Sequence, residues 1–195
     1  IRNHIELIAI TSLLNAYGGM IIPSSFICFK SLKSLYDTAC NSDSIVVGES
    51  RNLVSNSKLN MNVIAYPCIM ACKPGNIVMQ DFSNYLSILN SNDFTSEQDF
   101  VGSVNLWLEE KVLCNSVIPI SGKWLGIQKS DDTLIYPEEL LQSGFLELDC
   151  NSYGLYVPWD HLIQRINLQW FVRLSPEQVL NSDTILGKYM LVNAK

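Results

Sequence analysis

A few groupings of side chains in this 195-residue sequence have types and spacings that could do chemistry. Asp160-His161 sets a carboxylate beside an imidazole, the elements of a general base. Glu97-Gln98-Asp99 sets two acids two residues apart, as a divalent-cation site does. Cys68 and Cys72 are spaced to meet on one helix face, where two thiolates could ligate zinc. Lys30 with Lys33, and Arg165 with Arg173, could neutralise an anion. Most of these groupings have a plainer reading. Adjacent residues on a helix point about 100° apart, and no Gly-x-Ser-x-Gly elbow accompanies Asp160-His161, so a surface or capping role is expected for it. Residues two apart on a helix share no face, and capping and dipole compensation account for acids at a helix start. No His or further Cys stands near Cys68 and Cys72 to complete a zinc site, so buried thiols are expected there. No metal site is expected. Arg165 and Arg173, eight residues apart on one helix, would fall on one side of it. Trp159, Trp170 and Phe171, with Tyr153 and Tyr156, are expected to form core rather than a sugar platform.

Composition bounds the partners. Charged residues are only 16% of the chain, against about 25% in ordinary domains. Thirteen basic and nineteen acidic residues leave a net charge of −6, the wrong sign for binding phosphate polyanions, so no nucleic acid is expected. Apolar residues make up 48%, which excludes intrinsic disorder. Seventeen Asn and 22 Ser supply much of the polarity. A surface hydrated by amides and hydroxyls costs less to bury than one covered in Lys and Glu, so extensive protein contact is expected. No Asn begins an Asn-x-Ser/Thr sequon and no cysteines form a Cys-x-x-Cys pair. Both fit an intracellular, reducing compartment, not secretion. The start at Ile1 lacks a charged region and a cleavage site, so it is not a signal peptide, and residues preceding Ile1 are expected. The apolar stretch from Ile5 to Pro23 is interrupted by Glu6, Asn15 and two glycines, so no membrane span is expected.

The elements that would position these residues follow from periodicity. Residues 4–17 predict a helix with Leu7, Ile10, Leu14 and Tyr17 on one face, ended by Gly18-Gly19. Met20-Ile21-Ile22 predicts a buried strand stopped by Pro23, resuming at Phe26–Phe29. A short helix is expected over 31–38 with Leu32, Leu35 and Tyr36 inward, and strands at 45–48 and 63–66 around a polar loop at 49–62. Pro74-Gly75 predicts a turn, followed by a helix over 76–90. Thr95-Ser96-Glu97-Gln98 reads as a capping box opening a helix to about Cys114, with Phe100, Val104, Trp107, Leu108 and Leu113 inward. Strands are expected at 117–120, 124–128, 133–136, 145–149 and 154–157. Helices are expected at 137–141 and 159–171, and Ser175-Pro176-Glu177-Gln178 is a second capping box opening the final helical region. Alternating helices and strands give an α/β class, in a single domain over 1–195.

One stretch carries a resemblance. Arg2 precedes a helix ending in Tyr17-Gly18-Gly19. Met20-Ile21-Ile22-Pro23-Ser24-Ser25-Phe26 and then Lys30-Ser31-Leu32 follow, and Met70-Ala71-Cys72-Lys73-Pro74-Gly75 comes later. This pattern resembles the capsular polysaccharide synthesis proteins and the related glycosyltransferases with a DXD sugar-binding motif. The resemblance implies a GT-A-like mixed sheet flanked by helices. It also implies a nucleotide-sugar partner held by Tyr17, Gly18, Gly19, Ser24, Ser25 and Lys30, with a divalent cation, Mn or Mg, as cofactor of an active enzyme. In that chemistry an Asp at a strand end holds the cation, which neutralises the leaving diphosphate.

The chain departs from the family at that point. Pro23 and Ser25 stand where the two acids belong, and only sixteen residues precede Tyr17. The nucleotide-binding portion of such a domain would therefore lie outside this chain. Glu97-Gln98-Asp99-Phe100, Gly122-Lys123-Trp124-Leu125-Gly126, Gly154-Leu155-Tyr156-Val157-Pro158 and Gln169-Trp170-Phe171-Val172-Arg173 are similar to uncharacterised proteins of large DNA viruses. Two functions are therefore expected as alternatives. One is a glycosyltransferase-like enzyme. The other is a catalytically inactive relative that binds other protein subunits in an assembly such as a virion.

Overall fold

Ile45, Val46 and Val47 are three consecutive apolar residues, and a strand buries all three only when both faces of its sheet are covered. Each is at most 1% exposed, and they open β3 (Ile45–Glu49). The structure is a computed structural model that describes residues 2–49, 65–91 and 97–194, with backbone alone at 2–4, 65, 66, 68 and 97–99. The chain folds as two compact units, Ile1–Pro23 with Leu32–Ser121, and Ser24–Ser31 with Gly122–Lys195.

In the first unit a four-stranded sheet runs β1 (Gly19–Ile21), β4 (Ala65–Cys72), β3, β5 (Val117–Ile120). The β1/β4 and β4/β3 pairs are antiparallel and β3/β5 is parallel, so the sheet is mixed. Proline in a sheet removes a ladder donor. Pro119 sits on the edge strand β5, where that loss is cheapest. Pro67 sits inside β4, and there the pairing with β3 jumps from Val47↔Met70 to Gly48↔Tyr66.

Three long helices, α1 (Arg2–Tyr17), α3 (Ile77–Ser91) and α4 (Glu97–Leu113), share one core with this sheet. Met79, Phe82, Leu86 and Leu89 of α3 meet Phe100, Val104 and Leu108 of α4 there. Trp107 stacks on Phe82 at 4.8 Å and on Tyr85 at 5.7 Å. The shorter helix α2 (Lys33–Cys40) buries Leu35 and Ala39 and packs on β3 and β4. Asn76 is the N-cap residue of α3. Its Oδ1 accepts from Met79 N–H at 3.0 Å, and its Nδ2 donates to the Asp43 carbonyl at 2.9 Å.

The second unit pairs β2 (Phe26–Cys28) with β6 (Gly154–Tyr156), antiparallel. Five short helices complete it: α5 (Pro137–Leu140), α6 (Trp159–Gln164), α7 (Gln169–Val172), α8 (Pro176–Leu180) and α9 (Ile185–Asn193). Leu140, Leu155, Val157, Leu162, Leu168, Phe171, Ile185 and Leu186 form its core. The loop over 122–126 is tied to β6 by main-chain bonds, Tyr153 N–H to the Trp124 carbonyl at 2.7 Å and Tyr156 N–H to the Leu125 carbonyl at 3.0 Å. Gly126 has φ +60°, and a Cβ on it would lie 2.7 Å from Leu155 Cα. No other residue type fits there.

The mixed α/β class and the mixed sheet flanked by helices are as expected. So are the helix–Gly–Gly–strand junction, the proline-led α5 and the Ser175 capping box, whose two reciprocal bonds both form. Several expectations are corrected. Tyr17 and Leu113 are 78% and 79% exposed, not inward. Thr11 lies on the buried side of α1 instead, its hydroxyl satisfied by the Ile8 carbonyl at 3.0 Å. Phe26–Cys28 does not continue β1 but enters the second unit's sheet. The strands expected at 124–128 and 133–136 reduce to one bridge, Gln128↔Leu134, and 145–149 is no strand. The helix expected over 159–171 is two helices, because the chain turns extended at Arg165 (ψ 116°). Cys72 lies on a strand, as does the backbone of Cys68, so they do not meet on a helix. The start of the Thr95 capping box and residues 50–64 of the expected loop and strand lie outside the described residues.

Gly18 and Gly126 test this fold most sharply. Gly18→Ala and Gly126→Ala are each expected to lower unfolding free energy by at least about 2 kcal/mol, since a left-handed non-glycine residue alone costs about 1–2 kcal/mol and a clash with neighbouring backbone adds to it. Gly102→Ala, at an open helical position with nothing within 4 Å, is expected to be neutral or stabilising. Urea denaturation of the three variants measures it.

Candidate functional site

The residues that the resemblance marks begin where α1 ends. A helix leaves its last carbonyls without partners, and here three groups supply them. Leu14 O accepts from Gly18 N–H at 2.8 Å and from the Cys72 thiol at 3.4 Å, and Asn15 O accepts from Gly75 N–H at 2.7 Å. Gly18 takes φ +65°, and a Cβ on it would lie 2.6 Å from the Pro74 backbone nitrogen. The Gly-Gly junction is thus a docking point for the Pro74-Gly75 turn as well as a helix stop.

The structure divides the six candidate residues. Tyr17, Gly18 and Gly19 belong to the first unit, and Ser24, Ser25 and Lys30 to the second. Tyr17 is exposed at the helix end. Ser24 is exposed and Ser25 half-buried, with the Ser25 carbonyl accepting from Val157 N–H at 3.1 Å. Lys30 is exposed, and its Nζ lies 4.6 Å from the centre of the Tyr153 ring. Among the described residues no group of three His, Cys, Asp or Glu is placed to hold a metal ion.

The other candidate groups resolve into structural roles. Asp43 pairs with Lys73, and that hydrogen bond holds its carboxyl below the usual range. Arg165 ends α6 and pairs with Glu138 of α5, so it does not share a helix face with Arg173. Burial alone would raise the Glu138 carboxyl, but the bonds from its backbone and from Arg165 outweigh it and hold it low. Asp160 is exposed and His161 half-buried on α6. Side chains of His4 and of Glu97, Gln98 and Asp99 lie outside the described ones. Phe171 is core, as expected, whereas Trp159 and Trp170 are 38% and 47% exposed. Trp159 borders an open apolar groove of about 260 Å³, lined also by Phe171, Leu174, Val179, Leu180 and Met190 among others.

Two features were not read from sequence as parts of a site. Asn76 fixes α3 against the start of β3, and an Asn just before an apolar-periodic run is a readable cap signal. Trp124, 39% exposed, meets Tyr153 edge-on at 6.3 Å, beside Lys30. No local spacing announces that grouping, because it joins three distant segments. Among the described residues no helix is long and apolar enough to cross a membrane. Compared with protein families, curated proteins and solved structures, the chain matches none.

The thiols give a pH-dependent outcome. Burial, then the nearby Cys40, pushes Cys72 from its ordinary value of 9.0 up to about 11, whereas Cys28, Cys114 and Cys150 are exposed. Iodoacetamide at pH 8 is expected to modify those three and to spare Cys72 until the chain unfolds. The folded chain keeps the Cys72 proton where an unfolded thiol has lost it. That stabilisation is complete below about pH 9 and fades as pH rises toward 11, so the urea midpoint is expected to fall across that window.

Proposed function

We propose that the chain is a glycosyltransferase-like protein that works by binding other protein subunits rather than by metal-dependent sugar transfer. The observation that carries this is what stands in the acid positions. Pro23 has no side-chain ligand atom, and the neutral hydroxyl of Ser25 is a weak ligand for a hard divalent cation. The backbone there is committed as well, since the Ser25 carbonyl pairs with Val157 N–H. These residues do not fit a Mn or Mg site, and no step of transfer chemistry is derived through one. A GT-A-type architecture is part of the same proposal, supported by the mixed sheet and by the α1–Gly18–β1 junction.

The surface supports association. Ile5, Ala9, Leu13 and Tyr17 recur every four residues along α1, and all four are exposed, the three large ones at 64%, 58% and 78%. Rows spaced by four lie on one side of a helix. Exposed apolar area of this kind marks interaction surfaces, and a chain with 16% charged residues does little to oppose its burial. Tyr17 reads here as the end of an apolar row, not as a sugar contact. The setting proposed with this reading is an intracellular assembly such as a virion.

The competing reading, a nucleotide-sugar donor bound by Tyr17, Gly18, Gly19, Ser24, Ser25 and Lys30, draws support from the exposed ammonium of Lys30. Isothermal titration with several nucleotide sugars, with and without Mn²⁺, separates the two. No heat is expected in any titration, and donor-dependent heat would establish the transferase reading instead. Light scattering on the wild-type chain is expected to show mass above that of one chain, rising with concentration. Leu13→Asp and Tyr17→Asp are expected to restore a single-chain mass with unchanged circular dichroism. A single-chain mass at every concentration, with no protein partner retained on the wild type and lost on these variants, would overturn it.

A further inference from the structure

Lys30, Trp124 and Tyr153 come from three separate stretches of chain, yet main-chain bonds hold them in one place. Phe29 N–H donates to the Tyr153 carbonyl at 2.8 Å, and Tyr153 N–H donates to the Trp124 carbonyl at 2.7 Å. The Ser152 hydroxyl bonds the Gly154 carbonyl at 2.7 Å and reaches the Trp124 carbonyl at 3.4 Å. The Lys30 carbonyl accepts from the Cys28 thiol at 3.0 Å. Side chains on so constrained a backbone are pre-oriented, which lowers the entropy cost of binding.

The three side chains offer complementary groups. Trp124 is 39% exposed, and Tyr153 meets it at an interplanar angle of 61°, so the tyrosine does not cover the indole as a parallel stack would. Among the described residues the Trp124 indole N–H donates to nothing. Elsewhere in this unit Lys123, Lys129, Arg165 and Lys188 pair with Asp132, Glu139, Glu138 and Asp183. Lys30, like Arg173, pairs with no carboxylate among the described residues, and its ammonium lies over the Tyr153 ring. A cation held at an aromatic face keeps its charge available to a ligand.

We propose that Trp124, Tyr153 and Lys30 form a binding site for a saccharide bearing a carboxylate, such as a uronic acid unit. The apolar C–H face of a pyranose stacks on the indole, a ring hydroxyl accepts from the indole N–H, and the carboxylate meets the Lys30 ammonium. One ammonium matches one carboxylate. A polyanion is disfavoured by the net charge of −6. This site is independent of the α1 row and of sugar transfer.

A glucuronic acid disaccharide, a neutral glucose disaccharide and a nucleoside monophosphate are the probes. The readout is the Trp124 indole N–H resonance, assigned by its loss in Trp124→Phe. The uronic disaccharide is expected to shift that resonance with Kd of about 1 mM, a value suited to a small ligand on a shallow face. The neutral disaccharide is expected to bind about threefold to fivefold more weakly, the worth of one exposed charge pair. Lys30→Gln, at an exposed position, is expected to erase that difference by weakening the acid probe. Failure of the uronic probe to move the resonance at about 20-fold its expected Kd would overturn the site. So would equal binding of acid and neutral probes to wild type, or a response to the nucleoside monophosphate alone.

Discussion

The end of α1 is the constraint on which the first unit depends. Its last turn must shed unpaired carbonyls, reverse direction and enter a sheet within two residues. Gly18 achieves the reversal, and the Pro74-Gly75 turn closes onto it from the far end of β4. One junction therefore sets the angle between α1 and β1, the register of β1 on β4, and the start of α3 through Asn76. The same residues that resemble a sugar-binding motif are the residues this geometry requires. Gly18 and Gly19, at φ +65° and +110°, are required here by backbone geometry whether or not a donor ever binds, so the glycine pair carries fold information and little about catalysis.

The parts of the fold that were legible in sequence are those where period and burial coincide over several turns. Phe82, Leu86 and Leu89 on α3, and Phe100, Val104 and Leu108 on α4, repeat at three and four residues because each faces one core. The same logic failed at helix ends. Tyr17 and Leu113 continue their stripes in sequence, but the chain turns away after them and no neighbour remains to cover them. In the second unit the apolar runs at 124–128 and 133–136 are too short to decide between strand and loop. Glycine contacts settle the question there: Gly126 lets a loop lie against β6, leaving a single bridge where two strands were expected. The break at Arg165 had no proline or glycine to announce it. It places the guanidinium on Glu138, and that pairing is tertiary information absent from local spacing.

The distribution of charge gives the low charged fraction a structural meaning. In the second unit four cations are committed to ion pairs that pin loops and short helices, which have few backbone bonds of their own. In the first unit Lys73 pairs with Asp43. Such pairs keep contact with solvent and are individually weak, so they select conformations more than they supply stability.

Scarcity makes the exceptions informative. A chain with few charges leaves much of its surface chemistry to apolar rows and to isolated cations. The α1 row is of the first kind and Lys30 of the second. They make different demands on a partner. An apolar row gains from dehydration over a wide area and selects another protein surface. One ammonium beside an open indole gains from a small ring with one negative charge, and a wide apolar interface would bury that ammonium without a partner, at several kilocalories of desolvation. The two features therefore select different ligands, and the chemistry of each is best explained by one of its own.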